Sequence, residues 1–241
     1  MAKKVFIGVG HGGRDPGAVA LGREEADLNL AIALSCSATL IRHGVDVKMS
    51  RTTDEDDTLR EEIRECNAYA PDLAIDIHNN AGGGDGAEAF YYSGGGLSKT
   101  LAENVLSEIV RIGQNSRGAK TRVQNGCDYY GFIRETKAPA VIVECAFVDN
   151  AKDMEILDSD LKLRQMGAAV AKGILATLGV EYIPGDMNGD GKITLADAAA
   201  LLRKLAGHKE EIDLFAADAN GDGSVNISDV SALMRRIAGW K

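Results

Sequence analysis

The chain has 241 residues, 45% of them hydrophobic, and a formal net charge of −9. That apolar share is normal for a packed core and excludes a disordered tail protein. Four prolines and 28 glycines exclude a collagen-like sequence, and the acidic balance argues against nucleic acid as a partner.

Strand and helix signals alternate from the N-terminus. Residues 5–10 are apolar, rich in β-branched side chains and closed by glycines. That run is too short for the apolar region of a signal peptide. No other segment nears the roughly 20 apolar residues of a membrane span, so membrane insertion is not expected. Residues 24–43 carry apolar side chains at helical spacing before Gly44. A strand at 45–49, a helix at 59–70, strands at 73–77 and 88–92, and a helix at 97–112 follow. A long apolar strand at 140–147 and a closing helix at 161–178 complete the series. The alternation predicts an α/β fold with helices over a sheet. Cys36, Cys66, Cys127 and Cys145 form no C-x-x-C pair, so no disulfide framework is expected.

The segment VEYIPG reads as a linker, and the character then changes. DMNGDGKITLADAAALLRKLAG from Asp186 is repeated as DANGDGSVNISDVSALMRRIAG from Asp218. Each copy places donors where a calcium loop needs them. The first offers Asp186, Asn188, Asp190, the Lys192 carbonyl, Thr194 and Asp197. The second offers Asp218, Asn220, Asp222, the Ser224 carbonyl, Asn226 and Asp229. One such stretch is an ordinary Asp/Asn/Gly turn; two in register, each ahead of a helix, point to two calcium ions.

His11, in GVGHGGRDPGA, and His78, in AIDIHNNA, each follow an expected strand, where open α/β sheets place their sites. Two imidazoles and one carboxylate with a corner left to water make a catalytic zinc site. REEADLNL supplies a carboxylate, and Glu144 interrupts the apolar strand AVIVECAFV as a candidate base. Each has a plain alternative: a hydrogen-bonded structural histidine, or a buried ion pair of Glu144 with Arg134. Asn79 and Asn80 suit either a turn or the orienting of His78 and substrate.

Taken together, GHGGRDPGA, EADLNL, SRTTD, DIHNNA and PAVIVECAFVDN resemble the type-3 zinc-dependent N-acetylmuramoyl-L-alanine amidases. The resemblance implies a twisted mixed sheet flanked by helices over residues 1–180. It implies one zinc on His11, Glu25 and His78, with Glu24 as the fallback, and Glu144 as catalytic base. The implied reaction uses zinc-activated water to cut the amide between N-acetylmuramic acid and L-alanine in peptidoglycan. Residues 186–241, after a linker at 181–185, resemble a dockerin, a small all-α domain with two calcium loops. That implies a cohesin partner or self-association, with Leu195, Ala196, Ile227 and Ser228 at the positions that face it. The combination resembles a phage or prophage endolysin, accumulating in the cytoplasm and released through a holin. The alternatives are an exported autolysin, a zinc carboxypeptidase acting on stem peptides, and a non-enzymatic scaffold component.

Overall fold

The structure, a computed structural model, describes residues 2–181, 183–188, 190–209, 212, 216–220 and 225–240. Six strands build its main sheet: β1 (Lys4–Val9), β2 (Asp46–Met49), β3 (Leu73–Asn80), β4 (Ala87–Tyr91), β5 (Ser116–Lys120) and β6 (Ala140–Phe147). Their order is β2-β1-β3-β6-β4-β5. Strands β2, β1, β3 and β6 run parallel, β4 pairs antiparallel with β6, and β5 pairs parallel with β4. The sheet is therefore mixed. Two short ladders join Val19–Ala20 to Arg23–Glu24 and Val123–Gln124 to Cys127–Asp128.

The helices are α1 (Glu25–Arg42), α2 (Leu59–Tyr69), α3 (Leu97–Arg111), α4 (Gly131–Glu135), α5 (Ala151–Ile156), α6 (Asp160–Leu178), α7 (Leu195–Leu205) and α8 (Ile227–Ile237). Alternate strand residues serve opposite faces. Ile7, Ile75, Ile77 and Val143 pack with Leu28 and Ile32 of α1, Val105 of α3 and Ile174 of α6. Phe6, Ala74, Phe90 and Ile142 pack with Ile63 of α2 and Phe132 of α4. Covered on both sides, the central strands read as continuous apolar runs. Each fully buried Phe or Ile contributes about 1.5–3 kcal/mol.

The face under α2 and α4 turns from apolar to charged towards the C-terminal ends of β3 and β6. Along β3 it shows Ala74, Asp76 and His78; along β6, Ala140, Ile142 and Glu144; beside them on β4 stand Phe90 and Glu88. Strand β3 runs to Asn80, beyond the expected end at residue 77, so His78 lies inside the strand rather than after it. Strand β5 and helices α4 and α5 carry too little periodicity to be seen in the sequence.

In the C-terminal part, α7 and α8 bury Ala198, Leu201, Val230 and Leu233 together with Met187. Both open on capping boxes, Thr194 with Asp197 and Asn226 with Asp229, which satisfy otherwise orphaned N–H groups. Among the described residues no helix is long and apolar enough to cross a membrane.

Candidate metal centre

His11, Glu25 and His78 come from a loop, a helix start and a strand. His11 follows β1 with φ of 62°, a left-handed conformation that costs a non-glycine residue energy and is typical of functional sites. Glu25 is the first residue of α1, where the helix dipole favours a carboxylate. His78 projects from β3 onto Gly10, where an added Cβ would come within 2.1 Å of the imidazole. At Gly17, φ is +65° and a Cβ would stand 2.7 Å from both Glu25 Oε2 and the His11 ring. The two glycines clear the space the three side chains share.

One ligand atom from each of the three side chains falls within 4.8 Å of the other two, and they form the one such set among the described residues. His11 Nε2 is 3.3 Å and His78 Nδ1 3.1 Å from Glu25 Oε1. Tetrahedral zinc with bonds of about 2.0–2.1 Å needs ligand atoms about 3.3 Å apart. This N, N, O donor set therefore fits zinc in spacing and in chemistry. Each imidazole's other nitrogen meets a carboxylate: His11 Nδ1 is 2.8 Å from Asp15 Oδ2, and His78 Nε2 is 3.1 Å from Asp76 Oδ2. Such partners fix the tautomer and aim the free lone pair at a metal. Glu24, the fallback carboxylate, is exposed on a short ladder; Glu25 is the one in the cluster.

Electrostatics follow from this crowding. Burial works to raise the Glu25 pKa, but hydrogen bonds from His11 and His78 hold it far below the ordinary glutamate value. Burial works against protonated His78, yet Asp76 and Glu25 lift its pKa well above the usual histidine value. A metal here must compete with protons.

Glu144 is the register partner of His78 on β6. Its Oε2 is buried with no hydrogen-bond partner. Burial, partly countered by His78, pushes its carboxyl up to about 7. Arg134 does not pair with it; that guanidinium donates to the Asp128 and Tyr129 carbonyls and to Glu135. The buried-ion-pair alternative is therefore not the arrangement found.

Two residues of the quoted motifs to which the sequence reading gave no role, Arg51 and Asn29, hold the site. Buried Arg51 donates to the carbonyls of Val9, Gly10, Thr53 and Ala26 at 2.9–3.2 Å. It thus ties the strand end before His11 to the helix turn after Glu25. Asn29 Nδ2 donates to the Gly10 carbonyl and to Glu25 Oε1. Asn79 points away from His78, buried against Asn29 Oδ1 at 2.8 Å, and Asn80 donates to Glu88 Oε1 at 3.0 Å. Neither of these side-chain hydrogen bonds goes to His78.

In the C-terminal loops, Asp186, Asp197 and Asp229 are almost wholly buried. Asp186 accepts from the backbone N–H groups of Asp190 and Gly191, and Asp197 from those of Met187 and Thr194. Asp229 accepts from Asn220 and Asn226. Buried carboxylates in so small a unit call for compensating charge, which a hard oxygen-seeking cation supplies. Of the expected second-loop donors, Asp222 and Ser224 lie outside the described residues.

Residues 5–176 match the family described as N-acetylmuramoyl-L-alanine amidase, and residues 184–238 match the dockerin type I domain. The N-acetylmuramoyl-L-alanine amidase CwlM of Bacillus licheniformis is 35% identical over 175 residues, covering 71% of this chain and 67% of CwlM. The endolysin of Bacillus phage SPP1 is 33% identical over 194 residues, 77% of this chain and 69% of the endolysin. Among solved structures, Cwp6 from Clostridium difficile is similar at a TM-score of 0.72 and 38% identity, over 74% of this chain and 30% of that one.

Proposed function

The chain belongs to the N-acetylmuramoyl-L-alanine amidase family, and from that membership we propose what it does and how. It is a peptidoglycan hydrolase that cuts the amide between the lactyl group of N-acetylmuramic acid and the L-alanine of the stem peptide. The observation that carries the reading is the carboxyl of Glu144, whose buried Oε2 has no hydrogen-bond partner, on the strand beside the His11, Glu25 and His78 cluster.

Zinc is the family's metal, and one ion here would be held by His11 Nε2, Glu25 Oε1 and His78 Nδ1. Bound there, it supplies a Lewis acid for the scissile carbonyl and acidifies a water. Glu144 is the general base: it takes the proton of the attacking water and hands it to the leaving amine. Its burial serves this role, because burial raises the affinity of the carboxylate for a proton and so makes it a stronger base than an exposed glutamate. Asp15 and Asp76 are positioning residues: each holds the far ring nitrogen of His11 or His78 and so aims the near one at the metal site.

The C-terminal part is a dockerin type I domain, and dockerins bind calcium. Two ions are proposed, one on Asp186, Asn188, Asp190, Lys192, Thr194 and Asp197, the other on the matching set from Asp218 to Asp229. The proposed partner is a cohesin. Leu195 and Ile227, 62% and 64% exposed at the starts of α7 and α8, suit such a contact. Relatives include a phage endolysin and a sporulation-specific bacterial amidase; holin-dependent release or export would each bring the enzyme to the wall.

The test is mass spectrometry of peptidoglycan digested by zinc-loaded protein. Free stem peptides that begin with L-alanine, beside glycan with intact lactyl groups, are expected. Released single amino acids would mean a carboxypeptidase, and no products a scaffold.

A further inference from the structure

On the face that carries the site, charged side chains form a row across four neighbouring strands. His78 on β3 partners Glu144 on β6, and Glu144 partners Glu88 on β4. Beyond Glu88, β5 contributes Arg117 and Lys120. Strands lie about 4.8 Å apart, so β5 runs roughly 10 Å from the strand of Glu144. An extended peptide covers that distance in about three residues.

Glu88 is only 6% exposed. It accepts from Asn80 on Oε1, and from Arg117 Nε at 2.9 Å and Lys120 Nζ on Oε2. Despite burial, the two cations keep its carboxyl below the ordinary glutamate range. Two cations on one carboxylate leave a local excess of positive charge at the β4–β5 end of the row. The Arg117 guanidinium also lies over the Phe147 ring, 5.0 Å from its centroid. Anchored through Nε, it keeps its two terminal nitrogens for the forked geometry that suits a carboxylate. The side chains of Arg117 and Lys120 are 39% and 37% exposed, so a ligand reaches both. Their anchors are in place before any ligand arrives, which lowers the cost of binding.

We propose that Arg117 and Lys120 form a carboxylate subsite, which binds an acidic group of the stem peptide within about three residues of the cut amide. The inference rests on the amidase reading and adds a preference for anionic peptides to it.

The test measures kcat and KM on three muramyl tripeptides. One carries free carboxylates, one is amidated on its second residue, and one is amidated on the side-chain carboxylate of its third. Wild type is expected to show a KM about ten-fold higher for one amide, as a lost hydrogen bond to a charged group predicts; that amide identifies the carboxylate. In the double variant R117Q/K120Q, the KM for the free acid rises to match, as loss of uniform binding requires. Equal KM values for all three in wild type, or a preference that survives in the double variant, would overturn the subsite. Wild type that cuts none of the three would overturn the amidase reading instead.

Discussion

Glu144 and His78 sit opposite each other on the parallel strands β6 and β3. Parallel partners lie about 4.8 Å apart and point to the same face, so the sheet itself sets the spacing between the proposed base and one proposed ligand. His11 and Glu25 have no such ladder between them. Their approach depends on Arg51 and Asn29, which grip Gly10 and the first turn of α1.

Glu144→Gln keeps the shape of the side chain and removes the proposed base. The expected result is a loss of kcat of about 10²–10⁴-fold with zinc content unchanged, because Glu144 is outside the set of three donor atoms. Metal analysis beside kinetics checks it. Joint loss of zinc and activity would place Glu144 among the ligands.

The Glu144 carboxyl should titrate at about 7 in metal-free protein, against an ordinary value of 4.5. Its pKa is raised on folding, so the folded chain holds a proton that the unfolded chain releases. The stability from this group is complete below 4.5 and declines as pH rises through about 7. Zinc loading moves the midpoint down, since a nearby cation favours the carboxylate. Carbon-13 NMR of labelled glutamate, with and without zinc, reads the shift.

The central strands and the long helix α1 were legible in the sequence, because apolar runs at 73–77 and 140–147 and the helical spacing of α1 leave few alternatives. The limits of the site were less so. Asn79 and Asn80 look like a turn, yet β3 continues because Phe147 pairs with Asn80 across a register shift. Asp76 was within reach: two residues before His78 on a strand, it must share its face. Arg51 stands in the SRTTD motif, but its role was not legible there, since an arginine buried on four backbone carbonyls leaves no periodic trace. Strand β5 hides in SRGAK, whose glycine and charges are poor strand formers.

Arg51→Met removes the donors to four carbonyls. Stability is expected to fall by about 2–4 kcal/mol, measured by denaturant unfolding. Zinc affinity should fall about 10–100-fold, as for other losses behind a metal ligand, measured by competition with a chelator. Arg51→Lys should recover only part of either, because an ammonium cannot replace the fork.

Calcium chelation should unfold the dockerin domain and spare the sheet domain, because binding energy is folding energy in small metal modules. Hydrogen exchange checks this region by region. Protection at α7 and α8 is expected to collapse with chelator and to return with calcium, while β1, β3 and β6 stay protected. Protection of α7 and α8 that ignores chelator would contradict the two-ion proposal.

The most direct test is anomalous diffraction at the zinc edge from crystals grown with the metal. One peak is expected, bonded to His11 Nε2, Glu25 Oε1 and His78 Nδ1, with the Glu144 carboxylate one water away. A zinc peak elsewhere, or none between those three atoms, would contradict the proposed zinc site.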